Sequence, residues 1–365
     1  MAGRLLAMIV KELWAILRDP RARMILIVPP LMQFFVLGFA TTMEVKNTAI
    51  GIYDRDGGAW SIEIAQRIGG SPNVARVIPL HSEAAIRRAI DRQQVIGVLS
   101  FGPEFSGDVA AGRPAEIQGL FDGRKSNAAQ IVAGYMSEIA KGVGAEVSVQ
   151  TASSQSVVTH WFNPNLQYLW FTMPGLVVII TTITGLGLTS QAVARERELG
   201  SFDQLMVSPL RVPEILIGKV VPPMLVGFFN ASIYILLIST LFGVPLTGSV
   251  PFFYLSLLLY LLALAGVGML VSSLSQTQQQ AFLGMFLVAV PAILLSGYAS
   301  PVENMPVWLQ WVTQADPTKH FLVVSEGVFL KDMPIPDLWA NTWPLALIAL
   351  VTLGTSAVLF RARME

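Results

Sequence analysis

Between Val220 and Val302 the chain carries no Asp, Glu, Lys or Arg, a run of roughly 80 residues in a protein of 365. An ordinary soluble domain is about 25% charged, and this chain as a whole is only 13% charged and 53% hydrophobic. A helix needs about 20 mostly apolar residues to cross the hydrocarbon core of a bilayer. The uncharged run therefore holds about three crossings and little else. The fold class follows: an α-helical polytopic membrane protein.

Six crossings can be read along the chain. Residues 1–23 precede them as an amphipathic helix, with Leu5, Leu6, Ile9, Leu13, Ile16 and Leu17 at helical spacing and Arg4, Lys11 and Arg18 outside that stripe. Such a helix either lies in the membrane interface with its cations toward the headgroups or packs on protein. Crossing one spans 24–43; it is too long for a typical signal-peptide core, contains Pro29-Pro30 and has no convincing cleavage site after it, so it is expected to be retained. Crossings two to six lie within 167–365, at about 168–191, 220–242, 252–272, 281–296 and 339–360. Pro222-Pro223 should break or kink the third, and Pro291 the fifth.

Residues 44–166 have a different character. Strand-like runs at 47–53, 74–80, 95–101 and 116–121 alternate with helical spacing at 59–68 and 83–93, the latter with Ser82 as its cap, and Ser126 opens a longer helical stretch. This order predicts a small α/β domain inserted between helices one and two, large enough to bury its own core. Asp54 and Asp56, beside Gly57-Gly58, read either as a carboxylate site or as a solvated turn, and the turn is favoured.

Orientation follows from Lys and Arg in short loops. Arg4, Lys11, Arg18, Arg21 and Arg23 precede crossing one; Arg195, Arg197, Arg211 and Lys219 lie between crossings two and three; Arg361 and Arg363 follow crossing six. Both termini are thus expected in the cytoplasm and the α/β domain outside. Trp161, Trp170, Trp308, Trp311, Trp339 and Trp343 fall near the outer boundaries, where an aromatic belt belongs.

The segment 195–209 reads RERELGSFDQLMVSP. Gly200 should end the helix descending from crossing two, and Ser201 with Gln204 makes a capping-box pattern. Phe202, Leu205 and Met206 then share one face of a two-turn helix that Pro209 stops. So short a helix is not stable alone; it either docks on a partner at the cytoplasmic face or lies on lipid.

On these residues the chain resembles the ABC-2 family of exporter permeases, in which an acidic run, a Gly-Ser/Thr pair, a Leu and a Ser/Thr-Pro form the coupling helix that seats in the ATPase subunit. Glu196, Glu198, Gly200, Ser201, Asp203, Leu205, Ser208 and Pro209 stand at the matching positions. Residues 11–20 (KELWAILRDP), 53–57 (YDRDG) and 296–311 (SGYASPVENMPVWLQW) are similar to further parts of the family, so the resemblance covers essentially the whole chain. Ser325-Glu326 departs from it, because many relatives have a basic residue there, and no role is carried onto that position. The resemblance implies coupling to an ATPase dimer through Arg195, Glu196, Glu198, Gly200, Ser201, Phe202, Asp203, Leu205, Met206 and Pro209. It also implies a second permease copy or a paralogue, with ATP and Mg bound by the partner. A periplasmic membrane-fusion adaptor and location in a bacterial inner membrane belong to the same expectation.

The remaining candidates are weaker. Thr181, Thr182, Thr184 and Asn230 lie within crossings and either line a pathway or bridge helices. Trp308 and Trp311 flank Leu309 on a short helix after Pro306, as an outer gate or a plain interfacial anchor. Gly185/Gly187 and Gly266/Gly268 read as close-packing devices rather than a nucleotide site, since no phosphate-loop pattern occurs. His81, His160 and His320 lack ligand-like spacing, the chain has no cysteine for thiolate chemistry, and a net charge of zero gives no support for nucleic-acid binding. Two other classes compete. A secondary transporter would usually need ionisable groups at mid-membrane, and Lys219 reads as lying at a helix end. A membrane-anchored sensor would need a larger cytoplasmic output domain. Apolar walls favour amphipathic or lipid-like cargo.

Overall fold

The computed structural model describes residues 2–18, 20–40, 48–122, 126–147, 167–201 and 211–362. The chain divides into two compact units, Met1–Thr41 with His160–Glu365, and Thr42–Thr159.

Helix α1 (Ala2–Arg18) buries Met8 and leaves Leu6 and Trp14 exposed, with the Arg18 guanidinium 4.8 Å from the centre of the Trp14 ring. Helix α2 (Pro20–Ala40) contains Pro29 and Pro30 and buries Phe34 completely.

The second unit runs β1 (Thr48–Asp54), α3 (Ala59–Gly69), β2 (Val74–Pro79), α4 (Glu83–Asp91), β3 (Gly97–Phe101), α5 (Phe105–Ala110), β4 (Ile117–Phe121) and α6 (Ser126–Val147). Its sheet has the order β2-β1-β3-β4; β1 is parallel to β2 and β3, and β4 is antiparallel to β3. Side chains alternate across the strands. Ile50, Ile52, Leu99 and Phe101 meet Ile64 and Ile68 of α3, Phe105 of α5 and Val132 and Met136 of α6. Val98 packs with Leu80 and with Ile86 and Ala89 of α4 in a separate cluster. Ser82 caps α4, its Oγ accepting the Ala85 N–H at 3.2 Å.

The turn after β1 uses both of its aspartates. Asp54 accepts the N–H groups of Asp56 and Gly57 at 2.9 and 3.0 Å and the Ser61 hydroxyl at 2.8 Å. Asp56 accepts the N–H of Gly58 at 3.1 Å and of Ser106 at 3.2 Å, tying the turn to α5.

The first unit continues with α7 (Tyr168–Glu198), α8 (Val212–Thr240), α9 (Val250–Leu274), α10 (Gln278–Leu295), a 3-10 turn (Val302–Asn304), α11 (Val307–Thr313), α12 (Pro317–Leu330) and α13 (Ile335–Ala362). Five of these, α7, α8, α9, α10 and α13, are long and apolar enough to cross a membrane; in α2 the apolar part, Ile27–Phe39, is shorter. Of the expected break or kink, a break does not occur: α8 runs as one helix through Pro222-Pro223, and α10 through Pro291. A proline removes one backbone hydrogen bond but its φ is already helical, so packed flanking turns can carry the helix across it.

Helix α9 lies against both α7 and α13, and glycines set the approach. A Cβ on Gly268 would overlap Thr189 Oγ1 and stand 3.1 Å from the Ser190 nitrogen; one on Gly266 would stand 2.9 Å from the Leu353 nitrogen. The close-packing reading of this pair is what the structure displays. Helix α12 was not expected, since the sequence reading leaves 297–338 as a loop with a short helix after Pro306. It is too short to span and carries Lys319, His320 and Glu326, yet Phe321, Val324, Val328 and Phe329 are buried against α7, α9 and α13. Phe321 stacks on Tyr260 at 4.4 Å, and the Ser325 hydroxyl donates to the Pro174 carbonyl at 3.0 Å.

Candidate functional site

Of the residues singled out at 195–210, Arg195, Glu196, Glu198, Gly200 and Ser201 are described, whereas Phe202, Asp203, Leu205, Met206 and Pro209 lie outside the described residues. The described part ends α7 in a defined way. Gly200 has φ +69°, its N–H donates to the Arg197 carbonyl at 3.1 Å, and the Ser201 N–H donates to the Glu196 carbonyl at 3.0 Å. This pair of reversed bonds around a left-handed glycine is a Schellman motif. The glycine does end the helix.

The last turn of α7 then reaches three other helices with charge of the appropriate sign. Arg197 Nη1 donates to the carbonyls of Ser273 and Ser275 at 3.0 and 3.1 Å, at the negative C-terminal end of α9. Glu198 accepts the N–H and the side-chain amide of Gln278 at 2.8 and 3.1 Å, at the positive N-terminal end of α10. Glu196 accepts from Lys219 Nζ of α8 at 2.5 Å, and its other oxygen accepts from the Ser201 hydroxyl. Half a turn earlier, the N–H groups of Val193 and Ala194 donate to Ser272 Oγ of α9 at 2.9 and 3.1 Å. Arg195 itself is exposed.

Lys219 has a second partner: Glu12 Oε1 of α1, at 2.8 Å. The side chains of Lys219, Glu12 and Glu196 are 4%, 19% and 14% exposed, so the ammonium is buried between two carboxylates. Beneath it Met8, Val193, Ile215, Val220, Met269 and Phe360 form an apolar cluster. A buried charge is tolerated only when paired, and removing one partner of a buried pair costs about 3–5 kcal/mol. The sequence reading, which left Lys219 at a helix end without a role, is corrected here: it lies two turns into α8, covered by α1. Glu12 and Lys219 were legible only as a lone cation at the border of the uncharged run and an acid on the polar side of α1. The start of α8 is fixed too, because the Arg211 N–H donates to Glu214 Oε2 at 2.8 Å. Both flanks of 202–210 are therefore held by helix caps.

Ser201 differs from expectation in one respect. Its hydroxyl donates back to Glu196, whereas the expected capping-box partner Gln204 lies outside the described residues.

The other candidates stand apart from this site. Thr181, Thr182 and Thr184 lie more than ten residues up α7 from Glu196, about 18–22 Å at 1.5 Å per residue. Thr182 Oγ1 donates to the Val178 carbonyl at 2.7 Å and bonds the buried Tyr260 hydroxyl, Thr184 donates to the Ile180 carbonyl at 2.7 Å, and Thr181 Oγ1 is buried with no hydrogen-bond partner among the described residues. Asn230 is buried in α8. Within one chain, Thr181, Thr182 and Asn230 thus face protein. Trp308 and Trp311 are exposed on α11. His320 is satisfied by the Gln314 carbonyl at 2.9 Å and Asn341 at 3.4 Å.

The family model described as ABC-2 family transporter protein matches residues 22–358. The chain is 43% identical to the probable multidrug ABC transporter permease YbhR of Escherichia coli K12 over the full length of both. It is 29% identical to the probable multidrug ABC transporter permease YbhS of the same organism, over 99% of this chain and 98% of that one. It is 28% identical to the inner membrane transport permease YhhJ, over 90% of this chain and 89% of that one.

Proposed function

Because the chain belongs to the ABC-2 family of transporters, we propose that it is the membrane-spanning subunit of an ATP-driven exporter whose ATPase is a separate polypeptide. The observation that carries this reading is the last turn of α7, where Glu196 holds α8 two turns from its start and Arg197 and Glu198 hold the facing ends of α9 and α10. A force applied at residues 202–210 reaches three membrane helices through direct side-chain hydrogen bonds from this one turn. The segment, 202–210, is the part that seats in the ATPase dimer, which binds ATP and Mg and closes on them. Arg195, on the exposed side, is free to face that partner.

In this reading α2 is the first of six crossings, both termini are cytoplasmic, the division at 1–23, 24–43, 44–166 and 167–365 is functional, and the α/β domain at 44–166 lies outside. The membrane is the bacterial inner membrane, as in the name of the YhhJ relative. Two copies, or this chain with a paralogue, enclose the path; the similarity to two differently named permeases of one organism is in keeping with pairing of paralogues. The cargo is amphipathic or lipid-like, in keeping with the multidrug naming of YbhR and YbhS. Thr184 contributes to the path, and the exposed Trp308 and Trp311 to its outer end. The α/β domain hands cargo onward or docks a periplasmic adaptor.

The test is co-purification with the ABC ATPase subunit expressed from the same locus, followed by ATP hydrolysis in lipid nanodiscs. Among the described residues nothing stands within 4 Å of a Cβ at Gly200, and the left-handed backbone there costs an alanine about 1–2 kcal/mol. The variant should insert at wild-type level and lose most of the permease-dependent change in hydrolysis. Wild-type coupling in Gly200→Ala and in Glu198→Gln would count against the assignment.

A further inference from the structure

Three helices meet at the Lys219 ammonium, and only two of them flank the 202–210 segment. The third, α1, begins more than 180 residues earlier and joins through Glu12. We propose that Lys219 is a positioning residue that locks α1 to the last turn of α7 and the first turns of α8, so that these three helix ends on the two sides of 202–210 move as one body; this rests on the proposed function.

The geometry carries the inference in four ways. Lys219 Nζ is 2.8 Å from Glu12 and 2.5 Å from Glu196, and Glu196 in turn receives the Ser201 hydroxyl, the last described group before the segment. Gly218, the preceding residue, lets α1 approach: a Cβ there would stand 2.7 Å from Met8. Helix α8 is weakest at this level, because Pro222 and Pro223 have no N–H for the carbonyls of Gly218 and Lys219. The tie is thus placed where α8 bends most easily. Finally, one buried ammonium serves two half-buried carboxylates, with Lys11 Nζ 3.7 Å from Glu12 on the exposed side. Withdrawing Lys219 leaves the Glu12 and Glu196 carboxylates without the ammonium they share, and their like charges then oppose the approach of α1 to α7.

The test uses the full-length permease with its ATPase subunit in lipid nanodiscs. The chain has no cysteine, so Gly3→Cys and Leu199→Cys can be spin-labelled as the sole pair and their distance distribution measured, in the permease alone and in the complex. Lys219→Met should broaden that distribution and reduce the permease-dependent change in ATP hydrolysis by about fivefold or more, the lower end of ordinary coupling between sites, while Lys219→Arg restores both. An unchanged distance in Lys219→Met overturns the proposal whatever happens to hydrolysis, since Lys219 would then act on α8 alone. Unchanged hydrolysis with a broadened distance, or no rescue by Lys219→Arg, overturns it as well. Should Lys219→Met fail to accumulate, the triple variant Glu12→Gln, Glu196→Gln, Lys219→Met carries no buried charge and is judged by the same two readouts. If no ATPase subunit associates with the wild type, the functional reading fails separately, and the distance in the permease alone decides whether Lys219 joins α1 to α7.

Discussion

Single side chains in this protein work by finishing backbone elements. Glu198, Arg197 and Ser82 each meet the unpaired end of a helix, and Asp54 and Asp56 organise the turn after β1. Asp56 gives this a pH signature. Burial alone would raise its carboxyl, but hydrogen bonds from Ser106, Gly58 and Ser61 outweigh it and hold the group below its ordinary 3.8. A carboxyl lowered in the folded state contributes stability that is full above the unfolded value and is lost as pH falls through the folded one. Hydrogen exchange at 54–61 and 105–110, corrected for intrinsic rates, should therefore show protection falling below about pH 4. Asp56→Asn should flatten that acid-side fall. Equal acid sensitivity in the variant would place its origin elsewhere.

At the scale of helices, the bundle is assembled on α9, whose glycines let α7 and α13 come close enough for backbone-level contact. Gly268→Ala should force α7 away from α9 and cost about 1–3 kcal/mol, the usual range for overpacking. Gly354, on α13, has nothing among the described residues within 4 Å of a Cβ, and Gly354→Ala should be neutral or stabilising by about 0.5–1 kcal/mol. The thermal midpoints of the two variants in detergent check this, and equal shifts would show that the α7–α9 approach does not depend on the missing side chain. The presence of a Gly pair was readable in the sequence. Which helix each glycine admits was not, because that depends on the side chains of Thr189 and Thr352 some 80 residues away on either side.

At the scale of the whole molecule, the distribution of cations predicts a topology that a cysteine-free chain makes simple to measure. A thiol introduced by Gly3→Cys should be shielded from a membrane-impermeant maleimide in intact spheroplasts and labelled after lysis, whereas one introduced by Glu83→Cys should be labelled in both. Labelling of both from outside would invert or abolish the six-crossing arrangement.

What the sequence determined by itself was whatever is fixed locally or by the solvent. A helix that crosses a bilayer must be long and mostly apolar, so α7, α8, α9, α10 and α13 were legible from composition. Gly200 was legible as a helix end because a left-handed residue favours glycine. The strands of the α/β unit were legible from their apolar runs. Only the tertiary structure decided the pairing of Lys219 with Glu12 and Glu196, the burial of the 14-residue α12, and the continuity of α8 through two prolines. Each of these depends on groups brought together from distant parts of the chain: the free energy of a buried charge or a missing backbone bond is set by its neighbours in space, which hydropathy and spacing do not encode.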